Sequence, residues 1–314
     1  FLYANSTSVM PIDPDLQNVL SIYRKLPPFD PSISVEEYRK ITNGVFETIA
    51  KSVNEEVRNV EERIIKGRNG DLRLRIYQQR PEAPALVYYH GGGFVLCNLE
   101  THDSICRRIA RLSDATVVSV DYRLAPEHKF PSAVIDAYDA LKWVSDHAED
   151  LGVDKDKIFV AGDSAGGNLA TVVSIMAREN GEDFIKGQIL VYPVVKLSGR
   201  TPSKIEYGAR GILTEEIMNW FNVHYLNSPE DALKWQASPI YADLSNLPPA
   251  LIVTAEYDPL RDEGEMFGAL MRKMGSDAVV VRYNGMIHGF LNFYPLLRAG
   301  RELIAQIAGK IKFS

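Results

Sequence analysis

The chain has 314 residues, of which 46% are apolar, and a formal net charge of −6. A chain of this length and composition can bury a large core, as one α/β domain with insertions or as two smaller domains. The acidic balance, without a long block of Lys or Arg, argues against a nucleic acid or an anionic membrane as partner. No apolar run approaches the roughly 18 residues that a membrane-spanning helix needs.

The first residues do not have the pattern of a folded element. Residues 1–9 lack the positive start and the long apolar stretch of a signal peptide, and Met10 is a better native first residue. We therefore expect 1–9 to be a disordered extension. Residues 10–57 then carry apolar side chains at helical spacing, interrupted by Pro27-Pro28, which predicts two helices.

The pattern changes to that of strands near residue 58. Two alternating strands flank the turn at 68–71, and short, continuously apolar runs follow, separated by helical stretches, at 85–89, 116–120, 158–161, 189–192, 250–254 and 278–281. Continuously apolar strands that alternate with helices indicate an α/β fold with a mostly parallel sheet covered on both faces. We assign 58–195 and 238–314 to this core, and the last strand could pair across a homodimer.

One interval breaks the alternation of strands and helices. Residues 196–237 hold an irregular piece followed by an aromatic-rich helix at 214–225. We interpret this insertion and the N-terminal helices as a helical cap over the carboxyl edge of the sheet, where ligands bind in open α/β sheets.

The two cysteines, Cys97 and Cys106, are too few for a disulfide scaffold and too far apart for a CxxC redox pair. We expect two free thiols in a reducing compartment and hence a cytoplasmic protein, although a disulfide between them stays open.

A nucleophile motif lies in the middle of the chain. Gly162-Asp163-Ser164-Ala165-Gly166 fits the G-x-S-x-G elbow, in which Ser164 is the nucleophile. A buried strand leads into it and a helix leads out of it, which is the setting that the motif requires. The start of that helix directs backbone N–H groups to the point where negative charge develops. The alternative is a glycine-rich turn with a solvent-facing serine.

A second glycine-rich segment, His90-Gly91-Gly92-Gly93, follows the strand at 85–89. A glycine triplet can direct backbone N–H groups at a tetrahedral oxyanion, and we predict Gly92, Gly93 and Ala165 as its donors. A phosphate loop would have different glycine spacing. We expect His90 to hold the loop rather than to act as a base.

The acid and the base follow in chain order. Asp258 comes after the strand at 250–254, although Asp258-Pro259 also fits a helix N-cap, and Asp262 and Glu256 compete as acids. Among the six histidines, His288 lies on a loop beyond both Ser164 and the acid. We place the others in helical or surface-like segments or, for His90, in the glycine loop: His102, His128, His147, His224 and His90. The order Ser…Asp…His is that of the α/β-hydrolase sheet.

Five segments carry a resemblance to the hormone-sensitive-lipase-like family of carboxylesterases, especially its prokaryotic and thermophilic archaeal members. They are His90–Phe94, Asp121–Glu127, Gly162–Asn168, Tyr257–Gly264 and His288–Phe290. The resemblance implies an α/β-hydrolase fold with eight strands and a helical cap, no cofactor, and Asp258 rather than Asp262 as the acid. Phe94, Asp163 and Phe290 are candidate substrate contacts. Metal-ligand spacing is absent from the sequence, so we also expect no metal.

These features predict a carboxylesterase that cleaves short- to medium-chain esters, small-molecule substrates, through an acyl-enzyme. An amidase or aryl-acetamide deacetylase would share every site residue. A third possibility is a non-catalytic ligand-binding protein on this fold. The plant gibberellin receptors resemble the family but lack the catalytic histidine, whereas His288 is present here.

Overall fold

The computed structural model describes residues 12–209 and 211–314, so the expected extension at 1–9 and the start at Met10 lie outside the described residues. The strands are β1 (Asn59–Gly67), β2 (Gly70–Gln78), β3 (Ala83–Tyr89), β4 (Thr116–Val120), β5 (Val153–Asp163), β6 (Ile185–Val191), β7 (Ala250–Tyr257) and β8 (Ala278–Ile287). The α-helices are α1 (Leu16–Lys25), α2 (Val35–Lys51), α3 (Asp103–Ser113), α4 (Ser132–Asp146), α5 (Ala165–Glu179), α6 (Pro202–Gly208), α7 (Glu215–Tyr225), α8 (Arg261–Lys273) and α9 (Arg298–Lys312).

The eight strands form one sheet in the order β1-β2-β4-β3-β5-β6-β7-β8. The pairs β1–β2 and β2–β4 are antiparallel, and the remaining pairs are parallel. Val87 in the central strand β3 is in register with Val118 of β4 and with Val160 of β5. The fold is therefore the mostly parallel α/β-hydrolase sheet that the sequence predicts.

The sheet separates two apolar cores. Along β3, Val87 and Tyr89 belong to the core shared with α4, α5 and α8, whereas Leu86 and Tyr88 belong to the core shared with α3 and α9. Successive side chains of a strand point to opposite faces, so β3 has no polar face and its residues are all buried. Each such side chain contributes about 1.5–3 kcal/mol by its burial.

Four helices lie outside the strand–helix alternation: α1, α2, α6 and α7, here called the outer helices. Ser34 caps α2 by accepting a hydrogen bond from the Glu37 N–H at 3.1 Å. The rings of Tyr38 in α2 and Trp220 in α7 pack edge to face with centroids 5.2 Å apart. The N-terminal helices and the insertion after β6 thus contact each other.

Helix α6 lies in a stretch that the sequence analysis treats as irregular. Thr201 accepts a hydrogen bond from the Lys204 N–H at 3.3 Å, and Pro202 occupies the first turn. Both are helix-start signals, so this short helix was detectable from the sequence.

Among residues 12–209 and 211–314, no helix is long and apolar enough to cross a membrane. Both cysteines, Cys97 and Cys106, are buried free thiols.

Candidate active site

Ser164 occupies the turn between β5 and α5 with φ 55° and ψ −116°, a conformation that L side chains rarely adopt. The Ser164 N–H donates to the carbonyl of Val191, the last residue of β6, at 2.8 Å, which ties the turn to the neighbouring strand. A Cβ at Gly166 would lie 1.8 Å from the Tyr89 carbonyl oxygen, and one at Gly162 would lie 2.3 Å from the Gly166 backbone. The two glycines of the motif are therefore required by backbone contact.

The structure brings Ser164, His288 and Asp258 together from the ends of three parallel strands. Ser164 Oγ lies 2.9 Å from His288 Nε2, and His288 Nδ1 lies 2.7 Å from Asp258 Oδ2. A carboxylate accepts, so Nδ1–H donates to Asp258 and the neutral ring leaves Nε2 free to accept the serine proton. Asp258 is completely buried, and its other oxygen accepts from the Leu260 N–H at 2.8 Å.

The competing acids are held elsewhere. Asp262 Oδ2 accepts a hydrogen bond from the Ser203 N–H at 2.7 Å, and Glu256 Oε2 accepts one from the Gly285 N–H at 2.7 Å. The reading of Asp258 as a helix N-cap is wrong, because α8 begins at Arg261 with Leu260 at its N-cap. The Asp258 side chain closes the turn before that helix instead.

The glycine triplet lines the same cavity as Ser164 and has backbone conformations that favour glycine. Gly92 has φ +118° and Gly93 has φ +63°. A Cβ on Gly92 would lie 2.2 Å from the Leu96 carbonyl oxygen, and one on Gly93 would lie 2.4 Å from the Phe221 ring. Within the described part of the chain, no group accepts a hydrogen bond from the N–H of Gly92, Gly93 or the first residue of α5, Ala165. These donors are available to an anion.

Asp163 lies behind the triplet and is 2% exposed. Its Oδ1 accepts hydrogen bonds from the Tyr88 hydroxyl at 2.7 Å and from the Gly91 N–H at 3.1 Å, and His102 Nε2 lies 3.1 Å from it. Burial alone would raise the pKa of Asp163, but the attraction of His102 and these hydrogen bonds outweigh it and lower the pKa. The carboxylate is occupied by protein groups, and Asp163 also lines the cavity that Ser164 lines, so its contact with substrate stays a prediction.

His102 is the site residue that the sequence analysis missed. It was placed among histidines of helical or surface-like segments, yet it is 1% exposed and pairs with Asp163. It immediately precedes α3, and no local pattern marks it as buried. Only the packing of α3 against the sheet brings it to the nucleophile turn.

His90 holds the start of the triplet, in agreement with the expectation. Its Nδ1–H donates to the Gly91 carbonyl at 2.6 Å, and its ring stacks on Tyr122 with centroids 4.4 Å apart. Burial, followed by the repulsion of His102, lowers the pKa of His90 from 6.5 to about 3. The ring is therefore neutral at ordinary pH.

A cavity of about 610 Å³ opens above Ser164 and His288. The outer helices supply part of its apolar lining, including Tyr38, Ile41 and Val45 of α2 and Ile217 and Phe221 of α7. These residues could not be identified from the sequence, because an apolar stripe on a helix looks the same whether it faces a core or a cavity.

The two aromatic residues predicted to contact substrate, Phe94 and Phe290, differ in their position relative to the cavity. Phe94 lines the cavity but is 2% exposed, because it stacks on Tyr225 with centroids 3.9 Å apart. Phe290 is completely buried between Tyr192 and Tyr283 and is not part of the lining. The prediction that Phe290 contacts substrate is therefore wrong.

Metal-ligating side chains do not cluster within residues 12–209 and 211–314: no three of His, Cys, Asp or Glu are grouped as a site.

The sequence and the fold are similar to those of known esterases. The alpha/beta hydrolase fold family matches residues 86–292. An arylesterase of Saccharolobus solfataricus is 38% identical over 308 residues, which cover 96% of this chain and 99% of that protein. The solved structure of a hyperthermophilic esterase from the archaeon Pyrobaculum calidifontis is similar, with 55% identity, a TM-score of 0.95, and coverage of 97% of this chain and 99% of that one. The structure of EstE1, a thermostable carboxylesterase from a metagenomic library, is also similar, with 51% identity and a TM-score of 0.89. The match covers 91% of this chain and 99% of EstE1.

Proposed function

The chain belongs to the α/β-hydrolase family, in its hormone-sensitive-lipase-like branch of carboxylesterases. From this premise we propose that it hydrolyses short- to medium-chain carboxylic esters through an acyl-enzyme on Ser164. The observation that carries the proposal is the continuous chain of hydrogen bonds from Ser164 Oγ through the imidazole of His288 to the buried Asp258, at 2.9 and 2.7 Å.

In the proposed mechanism, Ser164 Oγ attacks the ester carbonyl carbon while His288 Nε2 takes the hydroxyl proton. Asp258 holds the imidazole by its Nδ1–H and stabilises the imidazolium that forms. The tetrahedral intermediate collapses when its bond to the alcohol oxygen breaks, and His288 gives its proton to that oxygen. A water molecule then attacks the acyl-serine by the same route, releasing the acid and restoring Ser164.

The N–H groups of Gly92, Gly93 and Ala165 are the proposed donors to the oxyanion. Gly92 and Gly93 line the same cavity as Ser164, and Ala165 follows Ser164 directly. Together with the lack of acceptors for the three N–H groups within the described residues, this supports the assignment. In other serine hydrolases the loss of one such donor costs about 3–4 kcal/mol of transition-state stabilisation, so these groups are a main source of the rate.

The cavity supports a small-molecule ester as substrate. Its volume of about 610 Å³ and its apolar lining favour an acyl chain of limited length. We propose that the outer helices form the cap, from 10–57 and 196–237. A homodimer remains a prediction, with β8 at the edge of the sheet as the candidate interface. A cytoplasmic location also remains a prediction.

The test is a series of p-nitrophenyl esters from acetate to palmitate, assayed on the intact protein and on Ser164→Ala. We expect kcat/KM to be highest for the shorter acyl chains and kcat to fall by about 10⁴-fold or more in Ser164→Ala. Near-normal turnover by that variant would refute the proposal. A matched ester and amide pair separates an esterase from an amidase, and failure of an organophosphate to label Ser164 would favour a non-catalytic binding protein.

A further inference from the structure

One face of α2 contacts the segment that follows the glycine triplet. Arg39, Asn43 and Glu47 are spaced four residues apart, so their side chains lie above one another on the helix surface. All three reach residues 95–98, which come directly after the triplet and Phe94.

Arg39 joins two segments of the chain, at Val95 and at Ala125 and Glu127. Its Nε donates to the Val95 carbonyl at 2.7 Å, and its Nη2 donates to the Ala125 carbonyl at 2.8 Å. The same guanidinium donates to both oxygens of Glu127, at 2.9 and 2.8 Å. These hydrogen bonds lower the pKa of Glu127 and keep it ionised. A planar fork with several fixed donors suits such simultaneous binding, which a lysine could not reproduce.

The next two residues of the face hold the end of the segment. Asn43 Oδ1 accepts a hydrogen bond from the Cys97 N–H at 2.9 Å, and Glu47 Oε1 accepts one from the Asn98 side-chain amide at 3.3 Å. Ala125, whose carbonyl binds Arg39, also donates its N–H to the Phe94 carbonyl at 2.9 Å. The segment is therefore bound at successive residues by groups outside it.

The segment needs this support because its backbone is strained. Within the segment, Cys97 has φ +69°, in the left-handed region. Phe94, directly before the segment, has φ +65° and follows two glycines that also have positive φ. A non-glycine residue in that region costs on the order of 1–3 kcal/mol and persists only where the surroundings hold it. Inside the segment, the N–H groups of Val95 and Leu96 donate to the Gly92 carbonyl at 3.1 and 2.8 Å.

We propose that Arg39 and Asn43 are positioning residues for the hydrolytic reaction. From the N-terminal helix α2, they set the place of the Gly92 and Gly93 N–H groups relative to Ser164. The inference rests on the proposed function and extends it. Val95 and Leu96 bind the Gly92 carbonyl, while α2 binds Val95 and Cys97, so a displacement of the segment moves the peptide groups of the triplet.

The test compares Arg39→Met and Asn43→Leu, each close in size to the natural residue, with Lys40→Met as the matched control on the same helix, where Lys40 is exposed. Active sites are first titrated with an organophosphate, so that rates refer to competent molecules. We then measure kcat and KM for p-nitrophenyl butyrate. We also measure the inhibition constant of a trifluoromethyl ketone, because addition of a nucleophilic serine to its carbonyl carbon gives a tetrahedral oxyanion.

We expect kcat to fall by about tenfold in Arg39→Met and in Asn43→Leu, with KM changed by less than about twofold, because oxyanion contacts form in the transition state. Affinity for the ketone should fall by the same factor as kcat, and Lys40→Met should match the wild type. A merely structural role would lower the unfolding temperature and the titrated fraction without changing kcat per titrated site.

The inference is overturned if both variants keep kcat per site, if kcat falls while ketone affinity does not, or if Lys40→Met is equally impaired. If Arg39→Met does not fold, Arg39→Lys is compared with the wild type in the same way, and we expect a smaller fall in kcat and in ketone affinity. A wild-type protein that hydrolyses no ester would instead refute the proposed function, so the two failures are distinguishable.

Discussion

His102 Nε2 lies 3.1 Å from Asp163 Oδ1, and both side chains are almost completely buried. The same carboxylate accepts the Gly91 N–H, so this pair links the start of α3, the residue before Ser164 and the glycine triplet. The nucleophile turn and the glycine triplet are therefore tied to the same buried carboxylate.

We predict that Asp163→Asn lowers the free energy of unfolding by about 3 kcal/mol, because the buried carboxylate accepts charge-assisted hydrogen bonds that an amide, with one acceptor oxygen, cannot all replace. Urea denaturation measures the change. Tyr88→Phe is the matched control, since it removes a single hydrogen bond to the same carboxylate and should cost about 1 kcal/mol. Equal stability of Asp163→Asn and the wild type would contradict this account.

Asp258→Asn should reduce kcat by about 10⁴-fold with little change in KM, the size of the loss in the chymotrypsin-type triad when the acid becomes an amide. The reason is that an amide can donate to Nδ1 and so favours the wrong imidazole tautomer. Steady-state kinetics with p-nitrophenyl butyrate measures the loss. Asp262→Asn is the control, because it alters the competing acid four residues later. A comparable loss of kcat in Asp262→Asn would mean that Asp258 is not the acid of the triad.

Gly93→Ala should lower kcat by about 10²-fold, because its Cβ would lie 2.4 Å from the Phe221 ring and the peptide must move. The double variant Gly93→Ala/Phe221→Ala removes the clash but keeps the unfavourable φ. It should therefore recover part of the loss. The kcat values of the two single variants and the double variant complete the cycle. No recovery in the double variant would show that the clash with Phe221 is not the cause.

The stability of the protein should depend on His90 in acid. Its pKa is lowered to about 3, so between its usual pKa of 6.5 and that value the unfolded chain binds the proton more readily than the folded one. Stability is thus fully present above the usual pKa and declines as pH falls. From about pH 7 to about pH 4, His90 should contribute a loss of about 3 kcal/mol.

His90→Asn tests this, because the Asn amide can replace the Nδ1–H donor to the Gly91 carbonyl but does not titrate. Urea denaturation at several pH values should show a weaker decline in the variant than in the wild type. Identical pH profiles for the two proteins would mean that His90 is not buried as a neutral ring.

The parts of the fold that could be predicted are those fixed by local pattern. The run at 158–161 marked the centre of β5, since both faces of that strand are buried. The strand in fact spans Val153–Asp163, and its first half contains exposed charged residues that no apolar pattern reveals. The nucleophile turn was identifiable because the chemistry and the tight backbone both constrain residues within one short segment.

The remaining features depend on contacts between distant segments. Phe290 lies two residues after His288, but beyond the turn at Gly289 its side chain is buried in the protein and does not line the cavity. Likewise, the partner of His102 lies 61 residues away. Proximity to a motif in sequence therefore did not predict contact with substrate.

The two groups of outer helices differ in how freely they can vary. Helix α7 meets the triplet and its neighbour through ring contacts, with Phe221 beside Gly93 and Tyr225 on Phe94. Helix α2 meets the same region through oriented hydrogen bonds. Ring contacts tolerate exchange among apolar side chains, whereas donor–acceptor pairs do not. Randomised libraries aimed at new ester selectivity should therefore yield more active clones when they target α7 than when they target Arg39, Asn43 and Glu47 of α2.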